Sequence, residues 1–220
     1  MKQNQPEVYW DRLFAPSSAL AVITTVDAAG RVNAASYGTC TRVHHSPMYI
    51  SFTCNSDRDT ARNLEEVGEF VVNLPSFDRE SLEKVRVVGL PFARGINELE
   101  KANLKAIQSV TVRPPRIADF SRHFECKLEW VKDWGGLRRM VVGKVTAASV
   151  DDDCVDENGF VLWDRVKPAH FCGAPYHNMF VAAYQTMSVE VPYEGPEVDA
   201  YNASEHSMFA ELERVHKEGA

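Results

Sequence analysis

The chain has 220 residues, with 24 Lys and Arg against 31 Asp and Glu, which leaves a formal charge of −7. Hydrophobic residues make up 45% and charged residues 25%. These are the proportions of a chain that buries a core, not of a disordered one. The acidic balance argues against general nucleic-acid binding, which needs a basic face to displace counterions. No apolar run approaches the roughly 18 residues of a membrane-spanning helix, so no membrane association is expected. The N-terminal run MKQNQPEVYWDRLF holds no apolar signal core. Five cysteines, at 40, 54, 126, 154 and 172, show no CxxC spacing, which fits a reducing cytoplasm better than a disulfide framework or a compact zinc site. Neither a repeat nor a linker divides the chain. Residues 1–220 are expected to form one domain, with peripheral segments at about 1–15 and 185–220.

In chain order, residues 19–26 (ALAVITTV) are apolar and β-branched, as in a buried strand. Asp27-Ala-Ala-Gly30 is a turn signal, and residues 31–38 return as a second strand. An irregular segment up to Pro47 and a strand over 48–54 follow. A helix is expected from about residue 57 to 66, with Ser56 as its N-cap. Residues 69–74 read as a strand halted by Pro75, and 78–87 and 97–106 as short helices. Residues 107–112 and 117–131 look extended on either side of Pro114-Pro115. Residues 137–150 form a long strand in which Gly143 marks a bend or a close backbone approach. Turns are expected at 151–153 and 158–159. Met208, Leu212 and Val215 give the C-terminus the stripe of an amphipathic helix. Many strands joined by hairpins, with few helices between them, predict a mainly β fold with α decorations: an antiparallel barrel.

Several motifs fail. Around Gly143-Lys144, Arg138 and Val145 stand where a phosphate loop needs Gly and Ser or Thr, and no G-x-G-x-x-G or G-x-S-x-G occurs. His44-His45 would point to opposite faces of a strand, and His170, Cys172 and His177 form a loose loop cluster, so no metal is expected. Ser56-Asp57-Arg58-Asp59-Thr60-Ala61-Arg62-Asn63 is more informative. A helix start leaves backbone N–H groups without partners and carries partial positive charge, which suits a phosphate. Arg58 adds a planar fork of donors, and Thr60 and Asn63 share one helix face. An ordinary capped surface helix would read the same way. Upstream, Asn33-Ala-Ala-Ser-Tyr-Gly-Thr-Cys-Thr41 is rich in small and hydroxyl residues that let backbone amides approach a flat ligand, or that simply bend a barrel strand.

With these two parts in this order, the run VITTVDAAGRVNAASYGTCTRVHHSPMYISFTCNSDRDTARNLEEVGEFVVNLP resembles the flavin reductase-like, FMN-binding split-barrel family, and most its flavoredoxin branch. LEKANLKAIQSVTVRPPRIADFSRHFECKLEW and VVGKV continue the similarity, over about residues 15–180. The resemblance implies a split β-barrel, antiparallel and of Greek-key type, usually a homodimer, with FMN near the subunit interface. It implies that Arg58, Thr60 and Asn63, helped by Ser56, hold the FMN phosphate. The run from Ala34 to Thr41, with Ala35, Ser36, Tyr37, Thr39, Cys40 and Thr41, would line the ring and ribityl chain, Asn33 would join the cofactor-binding residues, and Tyr176 would lie near the flavin. The sequence departs from the family at Ser36, often Pro, at Gly38, often Ser, and at His44, usually Ser. Many NADH-using members carry His five residues before the glycine that here is Gly143, and this chain has Arg138 there. Arg138 and Arg139 are alternatively contacts for an NADPH phosphate or a solvated basic pair. No catalytic side chain is implied. Three functions stay open: an NADH- or NADPH-dependent flavin reductase, an electron carrier reduced by a partner redox protein, and a non-catalytic phosphate-ligand module.

Overall fold

The computed structural model describes residues 3–7, 10–14, 16, 18–173, 179–187, 189, 195–196, 199–200 and 203. Contacts divide the chain into two units, Met1–Gln185 and Thr186–Ala220, and the architecture below is that of the first. The expected C-terminal helix and Tyr176 lie outside the described residues.

A short helix α1 (Trp10–Phe14) precedes β1 (Ala19–Val26). The apolar run of β1 is continuous because both of its faces are covered. Ala21 and Ile23 point into one core with Phe52, Phe70, Val72, Cys126 and Val141. Leu20 and Val22 point into a second core with Val85, Val88, Leu99, Ile117 and Phe120. The turn to β2 (Val32–His45) is built by Asp27, whose Oδ1 accepts from the amides of Ala29 and Arg31 at 3.0 and 2.9 Å. Gly30 takes φ +82°, where a side chain would be strained.

Next come β3 (Met48–Asn55), α2 (Asp59–Glu66), β4 (Glu69–Leu74), α3 (Arg79–Val88) and α4 (Glu98–Lys101). The short pair β5 (Ala106–Ile107) and β6 (Arg116–Ile117) leads to the long hairpin β7 (Arg122–Asp133) and β8 (Arg138–Val150). A helical turn α5 (Trp163–Val166), β9 (Ala169–Phe171) and β10 (Phe180–Ala182) complete this unit. Strands pair antiparallel in the order β1-β2-β3-β8-β7-β4, and β4 pairs back on β1, so six strands close the expected antiparallel barrel. β9 and β10 add to the sheet outside it, at the start of β1. The first core fills the barrel, and the second lies between its β1–β2 wall and helices α3 and α4.

Three expectations need correction. β2 runs on to His45 instead of turning irregular after residue 38, because Thr41–His45 find a partner in β3. The helix expected over 97–106 is one turn, α4, ended by Asn103 in the left-handed region at φ 52°. The strand expected over 107–112 is a two-residue pairing. Beyond it, the amides of Val110 and Thr111 leave the sheet and donate to the Glu125 carboxylate at 2.8 and 2.6 Å. Glu125 is buried, and these donors with Arg116 hold its carboxyl below the usual carboxylate range despite that burial.

Gly143 fulfils its expected role. It stands in β8 opposite a bulge in β7, and a Cβ there would come well under 3.0 Å from ring carbons of the fully buried Phe70. Gly143→Ala is expected to cost about 1–3 kcal/mol of unfolding free energy by overpacking the barrel, read from a urea melt. An unchanged midpoint would show that Phe70 has room to move.

Candidate functional site

α2 is fastened to the β1–β2 hairpin by a buried polar network. The Asn63 side-chain amide donates to Thr25 Oγ1 at 3.0 Å. The Asn33 amide donates to Thr25 Oγ1 and to Thr60 Oγ1, both at 3.2 Å. All four residues are buried. The arrangement places the first turn of α2 beside Asn33. The helix starts at Asp59 with Arg58 in the cap position and no side-chain cap, so Ser56 does not cap it as expected. The first amides of α2 therefore keep their donors free of any cap.

Beyond Asn33 the barrel is split. β2 pairs with β1 as far as Cys40 but meets β3 only from Thr41. Thr39 closes the gap from above, its Oγ1 accepting from the amide and hydroxyl of Thr53 at 3.0 and 3.1 Å. Between Asn33 and Tyr37 the β3-side edge of β2 has no strand partner, and a cavity of about 450 Å³ opens there. Its walls are Asn33–Thr39, Thr53 and Asn55, Arg58–Thr60, the segment Val88–Phe92 after α3, Glu98, Arg138, Phe171 and Gly173.

Two glycines let backbone close on this edge. A Cβ at Gly89 would stand 2.7 Å from Ser36 Oγ, and one at Gly38 would stand 2.7 Å from the Phe171 ring. The departure from Ser at position 38 is thus matched to Phe171. Tyr37 packs its ring at 4.9 Å from Phe52, and burial pushes its phenol pKa up, against an opposing contact with Thr60.

The charges on and around the cavity divide into paired and unpaired ones. Arg62 holds Asp59 at 3.0 Å, Arg94 holds Glu66 at 3.3 Å, and Arg139 pairs with Glu65 and Asp133. Among the described residues, Arg138 has no carboxylate partner, and the nearest to Arg58 is Asp57 at 3.9 Å. Arg138 and a loosely paired Arg58 thus line one cavity, beside a helix start. Opposite in sign, the Glu98 carboxyl is buried, accepts from the Ala34 amide at 2.9 Å, and has its pKa raised by burial against that bond.

Of the residues singled out from the sequence, Asn33, Ala34, Ala35, Ser36, Tyr37, Thr39, Arg58 and Thr60 converge on the cavity. Four do not. Cys40 turns into the barrel core, because a strand residue faces one side or the other. Thr41 is exposed and already paired to Ser51. Ser56 lies in the turn before α2, its amide bonded to the Leu137 carbonyl. Asn63 faces inward to Thr25 and does not line the cavity. Sequence reasoning missed Glu98 and the Val88–Phe92 segment. Gly89-Leu90-Pro91 signals a loop, but nothing local says which strand it covers.

A family model for the flavin reductase-like domain matches residues 15–170. The chain belongs to the flavin reductase-like family. It is 32% identical to YwrF of Bacillus subtilis over 160 residues, 68% of this chain and 77% of YwrF. Nitrilotriacetate monooxygenase component B from Bacillus cereus has the same fold, with a TM-score of 0.74 at 22% identity over 86% of this chain and 98% of that one. Flavoredoxin of Desulfovibrio vulgaris superposes with a TM-score of 0.72 at 19% identity over 87% of this chain and 98% of its own. The expected split barrel is therefore the fold of this family member. Among the described residues, no helix is long and apolar enough to cross a membrane.

Four of the five cysteines, Cys40, Cys54, Cys126 and Cys154, are poor nucleophiles for a redox site. Burial pushes the Cys40 thiol up to about 12 and the Cys54 thiol up to about 11, the latter against the pull of Arg139 and Arg138. Burial also raises Cys126 and Cys154, whereas Cys172 is half-buried. Brief alkylation of the native protein at pH 8 is expected to label Cys172 and spare the other four, as read by peptide mass spectrometry. Rapid labelling of Cys40 or Cys54 would contradict their placement in the barrel.

Proposed function

We propose that the chain is an FMN-binding flavoprotein, a reductase that moves a hydride from NADH or NADPH to flavin. The supporting observation is the cavity on the open edge of β2, which joins Arg58, paired only loosely with Asp57 at 3.9 Å, to the free first amides of α2. Its volume of about 450 Å³ suits a cofactor-sized ligand, for which about 300–1,000 Å³ is usual. The glycines at 38 and 89 let Phe171 and Ser36 pack directly on backbone beside the cavity.

In this reading Arg58, the α2 amides and Thr60 hold the phosphate. The ring lies along Ser36–Thr39. The Ala34 amide is committed to Glu98, and strand alternation puts the Ser36 amide on the same open edge, where it can donate to the ring. Phe171 and the Val88–Phe92 segment exclude water from that edge. When bound, FMN supplies the hydride-accepting centre, and the protein supplies position and electrostatics. No side-chain acid or base is assigned. A second copy of the chain is proposed to cover the exposed Trp130, Val131, Trp134 and Leu137 of the β7–β8 hairpin, giving the homodimer.

A second reading is favoured by one residue. Arg138 lines the cavity at the place where many NADH-using members carry His. On that reading the protein is a flavoredoxin-like electron carrier, reduced by a partner redox protein. Anaerobic addition of NADH, then NADPH, to the FMN-loaded protein separates the two. Rapid bleaching of the flavin absorbance by either nucleotide is expected for a reductase, and bleaching by dithionite alone identifies the carrier.

The phosphate assignment has its own test. Arg58→Ala is expected to weaken FMN binding by about 1.5 kcal/mol, roughly tenfold, since the side chain is half-exposed. Riboflavin, which lacks the phosphate, should bind the variant as it binds the wild type. Equal FMN affinity in the two proteins would remove Arg58 from the phosphate site.

A further inference from the structure

The lining of the cavity is ordered along β2. Asn33 meets Thr60 at the start of α2, the amide of Ala34 meets Glu98, Ser36 meets Gly89, Gly38 meets Phe171, and Thr39 meets Thr53. Glu98 therefore stands between the helix start, which suits a phosphate, and the Ser36–Thr39 edge, where the reading above places the ring.

The Glu98 side chain is an unusual group to find there. The residue is 7% exposed, and Asp59 adds a like charge nearby. One oxygen, Oε2, accepts from Ala34 at 2.9 Å. The backbone N–H of Glu98 itself also bonds the carboxylate, and beyond these two amides no described residue donates to it where it borders the cavity. An ionised carboxylate offers about four acceptor positions, and buried acceptors are satisfied as a rule. The acceptor positions left over face the cavity, where a hydrogen-bond donor of a ligand can meet them. It cannot be a phosphate, which would be repelled. A neutral hydroxyl-bearing chain fits both the acceptor and its place in the sequence of contacts.

Resting on the flavin reading above, we infer that Glu98 anchors the polyol of the ligand by accepting from its hydroxyls, so that the cavity selects ribityl flavins over bare ring systems. Glu98 is a specificity-determining residue in this assignment and takes no part in bond making.

Glu98→Gln tests it, because the Gln amide keeps an oxygen for the Ala34 N–H but removes the charge that strengthens the bonds accepted from the hydroxyls. FMN, riboflavin and lumiflavin, which has the same ring with a methyl group in place of the polyol, are titrated into both proteins by fluorescence quenching. Riboflavin and FMN affinities are expected to fall about tenfold in the variant, with lumiflavin changed less than about twofold. Equal losses for riboflavin and lumiflavin would mean that Glu98 only shapes the cavity, and no loss for either would mean that it makes no charge-assisted bond to the polyol; both overturn the inference. Wild-type FMN binding is read first, so that a protein that takes up no flavin exposes the failure of the flavin reading itself. A thermal melt of Glu98→Gln checks that the variant is folded.

Discussion

The site depends on one buried interaction, the network in which Thr25 Oγ1 receives Asn33 and Asn63 while Asn33 also reaches Thr60. These bonds join a barrel strand, its hairpin partner and a helix in a setting where an unpaired amide would be costly. Their geometry fixes where α2 begins. That point decides where the unpartnered helix amides and Arg58 stand relative to the open edge of β2. A looser joint would leave the same residues without a common target.

The second determinant is that β2 is longer than either partner needs. It serves β1 along one edge as far as Cys40 and β3 along the other only from Thr41. The edge left over is the floor of the cavity. α4 and the segment after α3 reach that floor because Gly89 carries no side chain to hit Ser36, and Phe171 reaches it because Gly38 carries none. The barrel supplies stiffness beneath, since its interior is filled by Ile23, Phe52, Phe70 and Val141.

The sequence disclosed what is local. β1 was legible because an element buried on both faces reads as an uninterrupted apolar run, and the Asp27–Gly30 turn because its bonds span four residues. That Arg58-Asp59-Thr60 opens a helix was legible, as was its suitability for an anion, but the chemistry of its neighbours was not. Thr60 and Asn63 look like ligand donors on a helix face. Yet Thr60 accepts from Asn33, and Asn63 is spent inside the fold on Thr25, a residue 38 positions away. Cys40 fell on the wrong side because a run of small residues hides which strand face is inward. Glu98 was invisible for a similar reason: it contacts Ala34 across 64 positions, and a lone Glu in a polar helix start gives no local sign of burial. Its significance emerges only when the order of contacts along β2 is known.

The central claim is that the open edge of β2 is a flavin site oriented by the start of α2. A crystal structure of the protein grown with FMN tests it most directly. Density with the phosphate at Arg58 and the α2 amides, the polyol beside Glu98 and the ring along Ser36–Thr39 is the predicted result. FMN bound elsewhere, or in the same cavity with its phosphate at the Phe171 end, would contradict it.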